Sequence, residues 1–209
     1  MAHRSITQCR LYGFVEAGYL AGRNPADVTQ ALIDGGVDVI QVRAKELSHA
    51  KRVELTRAVI SAVGRHEVPV IVNDDIDAAR ETGAAGVHLG QEDFAAVTRE
   101  QLTGLRIIGI STHSLPQAQQ AERDGADYIG VGPVFATGTK PGVKPVGVEL
   151  VRQVAGEIEI PFFAIGGITL ENIDSVLAAG ATRVAVVSAI LNAANVTATA
   201  KMFKEKLLA

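Results

Sequence analysis

The sequence predicts an α/β fold, specifically a single-domain (β/α)8 barrel (the TIM-barrel architecture) that spans residues 1–209. Eight short apolar runs alternate with amphipathic segments along the chain. Four of these runs follow the same pattern, in which an amphipathic stretch reaches a glycine and passes into β-branched or other apolar residues. With 209 residues, 47% of them hydrophobic, the chain can bury one large core.

The repeated pattern is typical of a helix that ends at a glycine cap and leads into a buried strand. Its four copies are DGGVDVIQVR (34–43), ETGAAGVHLG (81–90), RDGADYIGVG (123–132) and AAGATRVAVV (178–187). The other four apolar runs are CRLYGFV (9–15), VPVIVN (68–73), LRIIGIS (105–111) and IPFFAIG (160–166). Taken in chain order, they predict eight strands with helical segments between them.

These strands are apolar on both faces, which indicates a parallel sheet covered by helices. Right-handed crossovers leave two architectures, an open doubly wound sheet or a closed barrel. Eight units in about 200 residues favour the closed barrel. Its active site is then expected at the carboxyl ends of the strands.

Composition limits the classes of partner. The net charge of −3, the 4% aromatic content and the absence of tryptophan give neither a basic surface nor stacking platforms for nucleic acid. The first ten residues lack an apolar run, and no stretch of about 18 apolar residues occurs, so neither a signal peptide nor a membrane span is predicted. The lone cysteine, Cys9, is predicted to be a core residue. We therefore expect a cytoplasmic protein that binds small molecules.

The loop after the sixth predicted strand is expected to bind an anion. The segment GVGPVFATGTKPGVKPVG (130–147) contains two lysines, five glycines and no acidic residue. Such a long stretch without a carboxylate is unusual in a chain with 23 acidic residues.

The stretch QVRAK at the second strand is predicted to bind a diphosphate. Strand alternation would place Gln41, Arg43 and Lys45 on one face. A guanidinium fork and a mobile ammonium group together suit a diphosphate better than a single carboxylate. The alternative is a surface edge whose charges are simply solvated.

Asp74 and Asp93 follow neighbouring strands and are candidate Mg²⁺ ligands. Two carboxylates, completed by substrate phosphates and water, are the usual protein contribution to a magnesium site. The alternative is that Asp74 or Asp75 caps one helix and Asp93 caps the next.

A second anion site is predicted after strands seven and eight. The IGG turn and the end of the last strand bring Gly167, Val187 and Ser188 to the position where barrels commonly bind a phosphate monoester. The double glycine could instead mark only a tight turn. His88 is expected to point inward and to be structural, whereas His113 is a candidate acid or base.

The motifs QVRAK, VNDD, GVHLGQED, IGISTHS, DYIGVGPVFATGTK, AIGGI and VVSAI occur in this order. Together they resemble the thiamine phosphate synthase family, and the resemblance runs from about residue 10 to residue 192. Each motif alone is weak, but the ordered set is specific.

The resemblance implies a transferase that joins an aminopyrimidine methyl diphosphate to a thiazole ethyl phosphate, with one Mg²⁺ per subunit. The implied pyrimidine diphosphate site comprises Gln41, Val42, Arg43, Ala44, Lys45, Asn73, Ser111 and Lys140. The implied thiazole phosphate site comprises Thr137, Gly138, Thr139, Gly167, Val187 and Ser188. Arg43, Lys45, Ser111 and Lys140 would act in catalysis, and Asp74 and Asp93 would bind the metal. Barrels of this kind often form homo-oligomers, although the sequence identifies no interface.

The family pattern also implies a dissociative mechanism, in which diphosphate leaves first and the thiazole nitrogen captures a pyrimidine methylene cation. Two positions depart from the pattern. Glu16 lies near an expected aspartate, and Ala44 stands where an acidic residue is frequent. The roles of Glu16 and His113 stay open.

Three other functions fit parts of this pattern. A thiazole tautomerase shares the barrel and the phosphate site, a non-catalytic barrel could bind thiamine phosphates, and an enzyme of another pathway could use a similar phosphate site. The retention of the diphosphate and metal residues favours the synthase; these are Arg43, Lys45, Asp74, Asp93 and Lys140.

Overall fold

The computed structural model describes residues 4–138 and 144–209, and within them eight parallel strands close into a barrel in chain order. The strands are β1 (Leu11–Glu16), β2 (Val39–Arg43), β3 (Val70–Asn73), β4 (Gly86–Leu89), β5 (Ile107–Thr112), β6 (Tyr128–Val131), β7 (Phe162–Ile165) and β8 (Val184–Ala185). β1 pairs with β8 through Leu11 and Val184, which closes the ring. The predicted (β/α)8 barrel is confirmed.

Helices cover the outside of the barrel in the same part of the chain. They are α1 (Ala17–Leu20), α2 (Pro25–Asp34), α3 (His49–Val63), α4 (Ile76–Thr82), α5 (Gln91–Ala95), α6 (Arg99–Leu102), α7 (Leu115–Arg123), α8 (Gly147–Glu157), α9 (Ile173–Ala178), α10 (Ser188–Leu191) and α11 (Val196–Leu208), after a short 3-10 turn at Ile6–Gln8. Side-chain caps fix several helix starts. Asn24 accepts from Ala26 N, next to Pro25 at the first position of α2, and Ser114 accepts from Gln117 N at α7. None of these helices is both long and apolar enough to cross a membrane.

Aromatic side chains fill the barrel interior below the strand ends. The rings of Tyr12, Tyr128 and Phe163 pack together with centroids 5.1 to 5.8 Å apart. Gly109 on β5 makes this possible, because a Cβ there would lie 2.1 Å from the Tyr128 ring. The interior is therefore closed by aromatic rings, and the open space lies above them.

The amino end of the barrel is held by buried Asp38. Its carboxylate forms ion pairs with Arg4, near the amino terminus, and with Lys204 on α11. Cys9 lies close by and is fully buried, as predicted. Burial, followed by the nearby negative charge of Asp38, raises the pKa of the Cys9 thiol to about 12, so the thiol is an unreactive core group.

Two local predictions need correction, and one alternative is resolved. β2 ends at Arg43, so Lys45 does not continue the strand face that carries Gln41 and Arg43. β8 covers only two residues, and Ser188 begins α10 rather than ending a strand. Of the two aspartates proposed as caps, Asp75 caps α4 by accepting from Ala78 N, while Asp74 does not.

Candidate active site

A cavity opens at the carboxyl ends of the strands, where the fold class predicts the site. We call it the mouth cavity. It is lined by Tyr12, Phe14, Gln41, Arg43, Asn73, His88, Ser111, His113, Tyr128, Gly130, Gly132, Pro133, Thr137, Phe163, Ile165, Gly166, Gly167, Ile168, Ala185, Val186, Val187 and Ser188. Residues predicted for both substrates therefore share one cavity.

A second, more polar cavity adjoins it on the side of β2 and β3. This rim cavity is lined by Ala44, Lys45, His49, Arg52, Asn73, Asp74, Asp75, Ile76 and Asp77. Asn73 lines both cavities. The predicted diphosphate residues thus divide, with Arg43 in the mouth cavity and Lys45 and Asp74 in the rim cavity.

Arg43 is held by an ion pair with Glu16, its neighbour across the β1–β2 ladder. Glu16 is buried, and burial raises the pKa of its carboxyl group, against the opposing effect of Arg43. Within residues 4–138 and 144–209, Glu16 Oε2 is buried and has no hydrogen-bond partner. Sequence reasoning noted Glu16 only as a departure from the family pattern.

Asp74 has an unusual backbone conformation. Its φ is +63°, in the left-handed region, which costs free energy for every residue except glycine, although asparagine and aspartate tolerate it better than most. Its N–H donates to His88 O across the β3–β4 ladder at 2.9 Å. Its Oδ2 lies 3.1 Å from Lys45 Nζ and accepts from Asn73 Nδ2 at 2.6 Å. The strained backbone holds this carboxylate over the rim cavity.

Asp93 lies in the first turn of α5 and is exposed. A Cβ added to Gly90 would lie 2.9 Å from Asp93 Oδ2, so this carboxylate folds back over the strand end. Asp93 lines neither the mouth cavity nor the rim cavity. Across the described ranges, no three His, Cys, Asp or Glu side chains gather as a ready-made metal site.

The double glycine after β7 binds the loop that follows β6. Gly166 and Gly167 have φ of +102° and +64°, and a Cβ at either would collide with residues 133–136 of that loop. Phe135 N donates to Gly166 O at 2.9 Å, and Asn172 Nδ2 donates to Gly167 O at 2.8 Å. The sequence gives no signal for this role of Asn172, whose side chain makes no cap hydrogen bond at α9 and instead bonds the turn before it, accepting from Thr169 N and donating to Gly167 O.

The other predicted residues are placed as follows. Val42 is buried and, by strand alternation, points away from the mouth cavity, so only its backbone can face a ligand. Gly138 is exposed at the end of the described loop. Thr139 and Lys140 lie outside the described residues.

Two histidines border the mouth cavity. His88 Nδ1 lies 2.9 Å from Tyr128 Oη, and His88 Nε2 lies 2.9 Å from Ser111 Oγ. His113 Nδ1 donates to Gly132 O. A nitrogen that donates to a carbonyl carries the ring hydrogen, so neutral His113 presents its other nitrogen as an acceptor.

Comparisons with known proteins match this chain to a family. The family model described as thiamine monophosphate synthase matches residues 11–190. A thiamine-phosphate synthase from Chloroflexus aurantiacus is 42% identical over 205 residues, covering 98% of this chain and 95% of that protein. A thiamine-phosphate synthase from Halalkalibacterium halodurans is 43% identical over 196 residues, covering 93% of each chain.

Among solved structures, a thiamine phosphate pyrophosphorylase from Pyrococcus furiosus superimposes with a TM-score of 0.84. It is 30% identical and covers 96% of this chain and 98% of its own. The ordered motifs, the closed barrel and these relatives all agree, and the chain belongs to the thiamine monophosphate synthase family.

Proposed function

We propose that this chain is a Mg²⁺-dependent thiamine phosphate synthase. It would condense 4-amino-2-methyl-5-(diphosphooxymethyl)pyrimidine with thiazole ethyl phosphate, giving thiamine phosphate and diphosphate. One observation carries the proposal. Arg43, Asn73 and Ser111, from one side of the barrel, share the mouth cavity with Gly167 and Ser188 from the other.

The first set suits the pyrimidine diphosphate. Arg43 can present its fork to phosphate oxygens while Glu16 holds the other side of the guanidinium. Lys45, half-exposed in the rim cavity, can follow a flexible diphosphate. Lys140 and Thr139 remain predictions from the sequence.

The second set suits a phosphate monoester. Ser188 begins a helix, and the first N–H groups of a helix have no intrahelical partners and attract anions. The Gly166–Gly167 turn lies beside it across the β7–β8 pair. Val187 has no cap side chain to offer, so backbone groups would make the contact there.

Asp74, in the rim cavity, and Asp93, in the first turn of α5 outside that cavity, supply the carboxylate donors that Mg²⁺ prefers. Asp74 and Asp93 would hold the ion with two carboxylates, and diphosphate oxygens and water would complete the octahedral shell that Mg²⁺ requires. β3 and β4 are adjacent, so both carboxylates follow neighbouring strand ends. When bound, the ion would neutralise charge on the departing diphosphate.

The reaction needs no protein nucleophile. The methylene C–O bond breaks, its electron pair leaves with diphosphate, and the aminopyrimidine ring delocalises the resulting cation. The lone pair of the thiazole nitrogen then forms the new C–N bond. Phe163, Ile165, Ile168 and Ala185 give the mouth cavity an apolar wall that keeps water from the cation.

The test mixes the purified chain with both substrates and Mg²⁺ and measures the two products. We expect equal amounts of thiamine phosphate and diphosphate, loss of turnover with EDTA, and recovery on adding excess Mg²⁺. Isomerisation of the thiazole alone would instead support the tautomerase. Binding without turnover would support the non-catalytic barrel.

A further inference from the structure

A buried chain of polar groups crosses the barrel beneath the mouth cavity. Gln41 Nε2 donates to Tyr12 Oη at 3.0 Å, and Tyr12 Oη lies 2.9 Å from Tyr128 Oη. Tyr128 Oη lies 2.9 Å from His88 Nδ1, and His88 Nε2 lies 2.9 Å from Ser111 Oγ. The two ends, Gln41 and Ser111, are both residues that the resemblance places at the pyrimidine diphosphate.

Counting donors and acceptors leaves one direction in which this series of hydrogen bonds can run. The Gln41 nitrogen only donates, so Tyr12 Oη accepts there, and the single Tyr12 hydrogen has Tyr128 Oη as its remaining partner among the described hydrogen bonds. If the direction were reversed, the buried Tyr12 hydroxyl would keep an unsatisfied hydrogen, which is costly. Tyr128 must then donate to His88 Nδ1.

The same counting determines which ring nitrogen of His88 carries the hydrogen. A ring nitrogen that accepts carries no hydrogen, so neutral His88 carries its hydrogen on Nε2 and donates it to Ser111 Oγ. Ser111 Oγ, having accepted, keeps its own hydrogen for another partner. Ser111 lines the mouth cavity, so this hydrogen can point into the cavity.

We propose that Tyr12, Tyr128 and His88 are positioning residues that fix the Nε2–H tautomer of His88 and turn the Ser111 hydroxyl hydrogen into the mouth cavity. This would make Ser111 a donor to an acceptor atom of the pyrimidine diphosphate, an identity that rests on the proposed function. Gly109 serves the same arrangement, because any side chain there would displace the Tyr128 hydroxyl.

This series of hydrogen bonds fixes the positions of its hydrogens and does not transfer a proton. Burial raises the pKa values of Tyr12 and Tyr128, so both phenols stay neutral throughout the pH range in which the protein works. These residues orient the Ser111 hydroxyl. Such orientation stabilises a transition state most where the hydroxyl donates to an atom on which charge develops.

The first test needs no substrate. Nitrogen NMR of ¹⁵N-histidine-labelled protein separates protonated from unprotonated ring nitrogens, and comparison with a His88→Gln variant assigns His88 among the five histidines. We expect His88 to carry its hydrogen on Nε2, and Tyr128→Phe to remove that preference. A hydrogen on Nδ1, or on both nitrogens, would overturn the proposal.

The second test is a double-mutant cycle on turnover. Tyr128→Phe alone should lower kcat/KM about tenfold, the scale of one hydrogen bond. In a Ser111→Ala background it should change kcat/KM less than twofold, because Tyr128 acts through Ser111. The same tenfold loss in both backgrounds would show a merely structural role and would also overturn the proposal.

Thr29→Val is the matched control, since it also removes one buried hydroxyl, which donates to Pro25 O within α2 and takes no part in this chain of hydrogen bonds. It should leave both the tautomer and kcat/KM unchanged. If the wild-type protein formed no thiamine phosphate, the proposed function would fail, and the NMR result would still decide the His88 tautomer.

Discussion

Asp38 at the amino end of the barrel and Glu16 at the carboxyl end are both buried carboxylates, yet their surroundings differ. Asp38 accepts from the N–H groups of Arg10 and Leu11 at 2.8 and 2.9 Å, in addition to its ion pairs with Arg4 and Lys204. Both oxygens of the Asp38 carboxylate therefore have hydrogen-bond or ion-pair partners.

At the opposite end, Glu16 has one partner, Arg43, and an oxygen with none in the described ranges. Asp74 nearby sits on a strained backbone, and Lys45 beside it is half-exposed. Charges that are fully paired stabilise the fold, whereas charges that are strained or incompletely paired are available to a ligand. The amino end thus serves stability, whereas the proposed binding site lies at the carboxyl end.

The largest effect should come from Asp38→Ala. It leaves Lys204 and two backbone N–H groups without their acceptor, so we expect the free energy of unfolding to fall by about 3 kcal/mol. Urea titration measures this. kcat/KM of the folded fraction should stay within about twofold of wild type, because Asp38 lies at the end away from the site.

Asp34→Ala is the matched control, since Asp34 is exposed and its one described side-chain hydrogen bond is with Gln30 on its own helix. Its unfolding free energy should change by no more than about 0.5 kcal/mol. Equal stability of the two variants would break the assignment of a stabilising role to the amino end.

Arg43→Ala should have the opposite effect and change turnover more than stability. We expect kcat/KM to fall by at least about 10²-fold, the scale of a preorganised charge contact. Steady-state kinetics with both substrates measure it, with Arg57→Ala as control, because Arg57 is exposed and pairs only with Glu81 among its described contacts. Undiminished turnover in Arg43→Ala would remove Arg43 from the diphosphate site.

The fold was predictable because each unit of the chain carries its own signal. Glycine caps such as Gly83 and Gly180 and the apolar runs after them are local features, and parallel strands with helical crossovers leave few architectures. The position of Lys45 was not predictable in the same way. Alternation holds only while the strand continues, and β2 ends two residues earlier.

The site was predictable only in part, for a related reason. Polar residues at strand ends identify the rim, but contacts across the barrel depend on its closure. Tyr12 and Tyr128 are 116 residues apart, and the local sequence around each predicts only a buried aromatic residue. Their hydroxyl groups meet only in the closed ring, so no local pattern could indicate the hydrogen-bond chain to Ser111.

A smaller effect is expected for Asp74→Gly. Glycine adopts a φ of +63° without strain, so the unfolding free energy should rise by up to about 1 kcal/mol, while Mg²⁺-dependent turnover is lost. Denaturant titration measures the unfolding free energy, and the synthase assay measures the turnover. Asp27→Gly, within α2 and outside both cavities, should instead destabilise by about 1 kcal/mol and leave turnover intact. Destabilisation by both substitutions would argue against strain at Asp74.

The smallest effect, and the one that isolates the unpaired oxygen, is expected for Glu16→Gln. Because the pKa of Glu16 is raised in the folded protein above its ordinary value of 4.5, the folded state binds this proton more readily than the unfolded state. Stability therefore falls as pH rises from 4.5 through the folded pKa. A neutral glutamine should remove that loss and raise Tm by a few degrees or less at pH 7, with no gain below pH 4.5. Thermal melts of both proteins across this range measure the difference, and Glu54→Gln, at an exposed ion pair, should show no such gain at pH 7. A gain for Glu16→Gln that persists unchanged below pH 4.5 would mean that burial of the charge is not its cause, and the contrast between the two ends of the barrel would then rest on Asp74 and Arg43 alone.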